Sequence, residues 1–480
     1  MSAFAVEAAA GRMLRYLRTW QAPDGSMHGV HTHPVWRLHP AVVEDHYTGY
    51  SAWGAPGLLG LADLAANTRI PAVEAMGRDW VRFVLTTFMP GDRWDNCGAE
   101  LGRRFNAAAV DNFLQDLSLC YYARVAAHTL TAAEKARIGD CVRRNLETYL
   151  REAGKPEQDG HVLTTTVNQD CAGLWAMGEW METYGVDARW RDLLLRGLQV
   201  HLRQHLVTGL PDAESGGLLR ATSLPDYIEP AEYYGVILPA YLHGWKLSGD
   251  AAWLEAAKQM ARHVMRNAWH DDRDCLRLHR TCDRVQGKWR VSQSPMLVAG
   301  GGLFLRALRE LAALTPLPEA ADFLAAMDAT VAHYQNEYGF LVAATEWHDD
   351  YDLICGTVWE AHDLACFGAR VRDVAGFQSA FDAPAPDLGI VIGWHDLWVE
   401  SARQWSLLRP WSYGFGYSGD KHGVEAAVSA PAWCNPKRPE IPFLPAIKVR
   451  MVGNEIVIHA PDYSRIAVTS IYGKKWIREA

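Results

Sequence analysis

The sequence predicts a mainly α-helical protein, an (α/α)6-type toroid of helical hairpins with a small C-terminal β-region. Three observations carry that prediction. A cluster of polar and aromatic residues returns about every 60 positions and each time opens an apolar helical stretch. The openings read Glu44-Asp45-His46-Tyr47, Asp111-Asn112, Asn168-Gln169-Asp170, Glu232-Tyr233-Tyr234, Ser292-Gln293-Ser294 and Trp359-Glu360. More ordinary amphipathic helices lie between these stretches. The links alternate between short and long. Six inner helices alternating with six outer ones close a ring, and the inner helix starts then surround one pocket.

The elements follow in order. Outer helices are expected at about 5–20, 71–88, 132–152, 188–206, 251–268 and 318–337. Inner helices are expected at about 48–65, 110–127, 168–184, 231–247, 293–312 and 357–371. Cys171, Leu174, Trp175, Gly178 and Met181 fall on one stripe at helical spacing. Gly54, Gly57 and Gly60, and later Gly300, Gly301 and Gly302, give the inner set the small residues that close approach requires. Inner-to-outer links are short and capped: Thr131-Ala132-Ala133-Glu134 is a capping box, and Pro71 and Pro316 are start signals. Outer-to-inner links are long, at about 21–46, 89–109, 153–167, 207–230, 269–292 and 338–356. Long links in a compact body usually carry function, and these should emerge on one face. The pattern stops near Arg370, which sets a toroid over 1–372 and an irregular segment with a β-appendage over 373–480. One helix is expected around 395–408, and 448–452 with 455–458 reads as a hairpin about Gly453-Asn454.

Composition narrows the function. With 49% apolar residues the chain can bury a large core, and a net charge of −9 gives no basic footprint for nucleic acid. Twenty tryptophans exceed what packing between helices needs, and the remainder suit an aromatic-lined cleft on which sugar rings stack. The nine cysteines form no CxxC or zinc-ligand spacing, so they read as buried free thiols of a reducing compartment. Met1 to Leu14 lacks a signal-peptide pattern, and no apolar run approaches the ~20 residues of a membrane span. A cytoplasmic protein is expected, with a secreted form lacking its leader as the alternative.

The polar inventory gathers on the long links. His28, His31, His33, His39 and His46 lie on the first. The first three have the residue type of metal ligands, but on a loop they read better as solvated or substrate-contacting groups. No metal and no cofactor is expected. Trp269-His270-Asp271-Asp272 and Trp347-His348-Asp349-Asp350 repeat one string after two outer helices, read as a repeated helix-ending turn. The fifth link carries Arg273, Arg277, Arg280, Arg284, Lys288 and Arg290, either a solvated loop with local ion pairs or an anion-binding rim.

The sharpest constellation is Asn168-Gln169 at an inner helix start, followed by Arg220, Tyr227, Tyr233 and Tyr234. These are the residue types that β-elimination in a uronate polymer uses. The C5 proton beside a carboxylate is weakly acidic, so an amide or guanidinium must offset the charge of the enolate-like intermediate. A tyrosine or histidine then takes the proton, and a tyrosine returns one to the leaving oxygen. The structural alternative is that Asn168 caps its helix and the tyrosines pack with bonded hydroxyls. Tyr47, Asn112, Asp170, Glu360 and Arg280 are the further substrate contacts expected around the pocket.

Here the chain resembles the helical-toroid polysaccharide lyases acting on alginate and glucuronan. Their neighbouring Asn-His pair, and an Arg followed about seven residues later by a Tyr, are similar to Asn168-Gln169 and Arg220…Tyr227. Gln169 stands where the family has His, so the resemblance implies that His46 supplies the imidazole and that Tyr233 or Tyr234 can replace Tyr227 as acid. A second resemblance, to the unsaturated uronyl hydrolases, implies paired aspartates instead: Asp170 with Asp111 or Asp116. The partner implied is an acidic saccharide, with no nucleic acid and no membrane, and a homodimer remains open.

Overall fold

The computed structural model describes residues 4–18, 54–94, 109–152, 160–209, 212–270, 274–279, 282–291, 301–335 and 356–384, positions 21, 24, 25 and 27, and the backbone of strands between 390 and 479. Thirteen α-helices lie among the described residues: α1 (Val6–Arg18), α2 (Gly57–Thr68), α3 (Pro71–Thr86), α4 (Ala109–Val125), α5 (Ala132–Glu152), α6 (Val167–Tyr184), α7 (Ala188–Gln204), α8 (Tyr234–Ser248), α9 (Ala252–Arg266), α10 (Gly302–Leu314), α11 (Glu319–Tyr334), α12 (Gly356–Gly368) and α13 (Val374–Asp382). Helices α2, α4, α6, α8, α10 and α12 each pack on the next, and α12 returns to α2. That closed inner ring is surrounded by α3, α5, α7, α9 and α11, with α1 and α13 covering the seam against α12. None of the described helices is long and apolar enough to cross a membrane.

The expected alternation therefore holds, and its local causes are visible. The Thr131 hydroxyl accepts from the Glu134 N–H at 3.2 Å, while Glu134 Oε2 accepts from the Thr131 N–H at 2.7 Å, the reciprocal capping box that starts α5. Pro71 opens α3 at its first turn, where a missing N–H costs nothing. The seam depends on glycine. A Cβ on Gly60 would lie 2.6 Å from the Leu364 carbonyl carbon and 2.9 Å from the Ala365 nitrogen, and Gly368 packs in turn on the Gly60 backbone. Gly60→Ala is expected to destabilise the protein by about 2 kcal/mol, because helix backbone cannot step aside. Chemical denaturation of the variant, against an alanine at the exposed Gly249 C-cap as a second comparison, measures it.

The inner ring is tied across its axis at the end away from the long links. Arg306 of α10 donates to Asp63 of α2 at 2.6 Å, and Tyr121 of α4 donates to the same carboxylate at 2.7 Å. Arg124 donates to Glu179 of α6 at 2.6 Å, His243 of α8 lies 3.2 Å from it, and Lys246 pairs with Glu182 and Glu310. Burial alone would raise the Glu179 carboxyl, but the hydrogen bond and charge of His243, with Arg124, take it down to about 2. Side chains of five of the six inner helices contribute to this network, and Arg306 also donates to the Ala365 carbonyl of α12.

Two features differ from the sequence reading. Helix α13 was not expected. Asp373 caps it, accepting from the Ala375 and Gly376 N–H groups at 3.1 Å each, and Phe377 and Phe381, four apart, bury its face on α1. The helix expected at 395–408 is instead two antiparallel strands, Leu397–Ser401 and Gln404–Leu408. Each half is a short run with aromatic or β-branched residues about a two-residue link, which suits a hairpin better than a helix. The hairpin Ile447–Val452 with Glu455–His459 has the register the sequence implies, with Val452 opposite Glu455.

Candidate functional site at the start of the third inner helix

The described part of the long-link face centres on the first turn of α6, and the chain folds there for identifiable reasons. Asp170, fully buried, turns both carboxylate oxygens back onto the preceding link. Oδ1 accepts from the Leu163 N–H at 2.6 Å and the Thr164 N–H at 3.1 Å. Oδ2 accepts from the Val162 N–H at 3.3 Å and lies 2.9 Å from His201 Nε2. The link after α7 is pinned just as closely. The Val167 N–H donates to the Arg220 carbonyl at 2.9 Å, the Arg220 N–H to the Tyr227 carbonyl at 3.0 Å, and the Glu229 N–H to the Leu218 carbonyl at 2.8 Å. Strand Tyr227–Ile228 then pairs with Cys282–Val285, which pairs with Lys288–Val291.

This backbone brings four side chains together. Glu229, fully buried, accepts from the Asn168 N–H at 2.9 Å through Oε1, placing its charge at the positive end of α6. Its Oε2 lies 3.8 Å from the Arg220 guanidinium. That guanidinium lies over two phenol rings, 5.7 Å from the Tyr227 centroid and 5.5 Å from that of Tyr233. Arg220 keeps 23% of its side chain exposed. Asn168 is buried, and its side-chain oxygen has no hydrogen-bond partner among the described residues. Buried amides are ordinarily satisfied, so this open end is an exception. Its oxygen and nitrogen exchange by rotation, so that end can donate or accept.

Arg220 thus joins Tyr227 and Tyr233 to Glu229, and Asn168 joins Glu229 through its backbone N–H. Gln169 is half-buried between Asn168 and Asp170. Three expected site residues have other work. Tyr234 is fully buried and its hydroxyl accepts from the Leu218 N–H at 2.9 Å; burial drives its pKa well up, so it braces the link instead of carrying a proton. Asp170 is closed off by the amides and histidine described above, which removes it as a substrate contact and as a hydrolytic acid. Burial raises its pKa less than His201, His161 and the Leu163 amide lower it, so it stays ionised. The Asn112 side-chain oxygen accepts from the Trp94 N–H at 3.0 Å, holding the hairpin 88–94 against α4. Asp116, below it, accepts from Trp94 Nε1 at 2.7 Å and Asn145 at 2.6 Å, and burial raises its pKa well up. His46, Tyr47 and Arg280, like His28, His31 and His33, lie outside the described residues, as does the side chain of Glu360.

Sequence reasoning missed Glu229, and the signal was an acid one residue before Pro230 at the mouth of an inner helix. It also missed a buried cluster behind the site. His161 of the link, Asp170 and Cys171 of α6, and His201 and His205 of α7 are all buried. Two histidines four apart on one helix face were the legible sign. Burial, and then the neighbouring His161 and His201, push His205 down to about 4.

No protein-family model matches this chain, and no curated protein matches it either. Solved structures do. A cellobiose 2-epimerase from Bacillus thermoamylovorans B4167 superposes with a TM-score of 0.53 at 12% identity, over 75% of this chain and 96% of that one. An unsaturated glucuronyl hydrolase specific for heparin gives 0.51 at 10%, over 75% and 95%. A family 76 glycoside hydrolase from a bovine Bacteroides thetaiotaomicron strain gives 0.53 at 10%, over 76% and 77%. At such identities the likeness is one of fold, and it establishes this chain as an α/α toroid of the architecture those enzymes share.

Proposed function

We propose that this protein is a carbohydrate-active enzyme that binds the carboxylate of an acidic saccharide at Arg220 and removes the adjacent carbon-bound proton. The observation that carries the reading is Arg220 between the Tyr227 and Tyr233 rings, next to the open amide of Asn168. The guanidinium fork suits a carboxylate. The Asn168 amide, donating, offsets charge on the enolate-like intermediate, and a phenol of Tyr227 or Tyr233 moves the proton. Expulsion of the 4-oxygen then gives elimination; return of a proton to the other face gives epimerisation. The toroid architecture supports the reading, since its solved examples include a sugar epimerase and saccharide hydrolases.

A second reading, hydrolysis by paired carboxylates, is favoured by the glucuronyl hydrolase likeness and by Asp111 and Glu232, both buried near inner helix starts. Asp170 has no part in it. Incubation with a panel of uronate polymers and unsaturated oligomers separates the two: conjugated-alkene absorbance appears under elimination and disappears under hydrolysis. Arg220→Lys keeps the charge beside Glu229 and loses the fork. It is expected to lower kcat/KM on acidic substrates about 100-fold with little change in Tm. A variant that kept its kcat/KM on acidic substrates would remove Arg220 from the site.

A further inference from the structure

The histidine cluster behind α6 has the internal order of a metal site. His161 Nδ1 lies 2.8 Å from the Thr164 carbonyl, which only accepts, so that nitrogen bears the hydrogen and Nε2 presents a lone pair. That Nε2 is 2.8 Å from His205 Nε2. His201 offers Nε2 to Asp170 Oδ2 at 2.9 Å, while its Nδ1 is 3.4 Å from Cys171 Sγ. Asp170 Oδ1 is filled by two backbone amides, which leaves Oδ2 with His201 and one long amide contact. Ligand atoms of His161, Asp170 and His201 all lie within 4.8 Å of one another. The rings of His161 and His205 are 4.9 Å apart and those of His161 and His201 are 5.1 Å apart. His161, His201 and Asp170 thus have their outer sides fixed by a carbonyl, a thiol and amides, whereas His205 Nδ1 has no hydrogen-bond partner among the described residues. Such outer partners orient metal-binding imidazoles and carboxylates.

We propose that His161 Nε2, Asp170 Oδ2 and His201 Nε2 bind one divalent transition-metal ion, zinc by the chemistry of the donors, and that His205, whose Nε2 is 2.8 Å from that of His161 but outside the three-ligand group, completes the set by a shift of its side chain. Three imidazoles and a carboxylate are borderline ligands that suit zinc in a tetrahedron. The edge of a tetrahedron with ~2.0 Å bonds is about 3.3 Å, so the 2.9 Å pair of His201 and Asp170 opens by a few tenths of an ångström while the wider separations of the group, all within 4.8 Å, close onto the ion. Every ligand is buried, so the site is closed and structural. It joins the 160–166 link, the start of α6 and the end of α7. The His205 carbonyl accepts from the Leu219 N–H, so the strand carrying Arg220 is braced as well. The inference stands apart from the catalytic reading.

The competing account is a metal-free chain of hydrogen bonds: the Cys171 thiol to His201, His201 to Asp170, and His205 to His161. The test uses the full chain without a polyhistidine tag, stripped with chelator, reloaded with Zn(II) and gel-filtered. About one equivalent of zinc is expected by elemental analysis, with a Tm several degrees above the stripped protein. Co(II) in place of zinc should give the intense visible bands of a tetrahedral site. His161→Gln and His205→Gln should each lose the metal and the Tm gain. A variant with His28, His31 and His33 all changed to Ala should keep both. Less than a tenth of an equivalent retained by wild type, with a Tm indifferent to zinc and chelator, overturns the proposal in favour of the hydrogen-bond chain. Zinc retained by His161→Gln but lost by the His28, His31 and His33 variant overturns it too.

Discussion

Lowering the pH from 7.5 to 5 is expected to cost this protein about 4 kcal/mol of stability through one pair of histidines buried in the neutral form. The cause is a pair of buried histidines between α9 and the link that follows it. His263 and His279 are both fully buried, with rings 5.3 Å apart at nearly a right angle. Neither ring nitrogen of His279 has a hydrogen-bond partner among the described residues, and His263 Nε2 has none. Burial alone pushes His279 down to about 3. Burial, then His279 and Arg266, hold His263 well below its ordinary value. The sign follows. Below pH 6.5 the unfolded chain binds two protons that this folded pair refuses, and His205, held down to about 4, refuses a third, so stability falls with pH at about 1.4 kcal/mol per unit for each group. The loss continues until the folded His279 titrates near 3. Glu179 acts in a separate window: its stabilisation is complete above 4.5 and is lost as pH falls toward 2. Denaturant unfolding between pH 8 and 5 measures the slope. His279→Leu should remove about a third of it, and a flat profile in wild type would mean that these rings reach solvent.

Asp170→Ala is expected to destabilise the fold by about 4 kcal/mol, against a small effect for Arg220→Lys two links away. The substitution leaves the Val162, Leu163 and Thr164 amides and His201 without their shared acceptor in a site no water fills freely. A buried group that loses its only partner bears its full desolvation cost, which is why one carboxylate matters so much here. The contrast is the check. If Asp170→Ala folded as well as wild type and lost only turnover, Asp170 would be a substrate-facing acid and the hydrolytic pairing would return. Proteolytic susceptibility of the 160–166 link, read beside Tm, distinguishes local release of that link from global unfolding.

The sequence determined the architecture because the ring is written in local terms. Helical period, the capping box at Thr131 and Glu134, prolines at helix starts and the alternation of short with long links are all properties of neighbouring residues. The six inner and six outer helices fall close to where those signals put them. The C-terminal hairpin about Gly453-Asn454 was legible for the same reason. At 397–408 apolar content alone misled, and two short runs about a two-residue link pair as antiparallel strands.

What a polar side chain does was decided by tertiary structure. Asn168, Asp170 and Tyr234 look alike in sequence, as polar residues at inner helix starts. Asn168 keeps an open amide end, whereas Asp170 and Tyr234 meet backbone amides of the links that precede their helices, once those links fold back. Glu229 and the His161, His201 and His205 cluster became visible only when the links folded onto α6. A side chain's free valence depends on which distant N–H or C=O arrives beside it. That is fixed by how the ring closes, and no spacing along the chain encodes it.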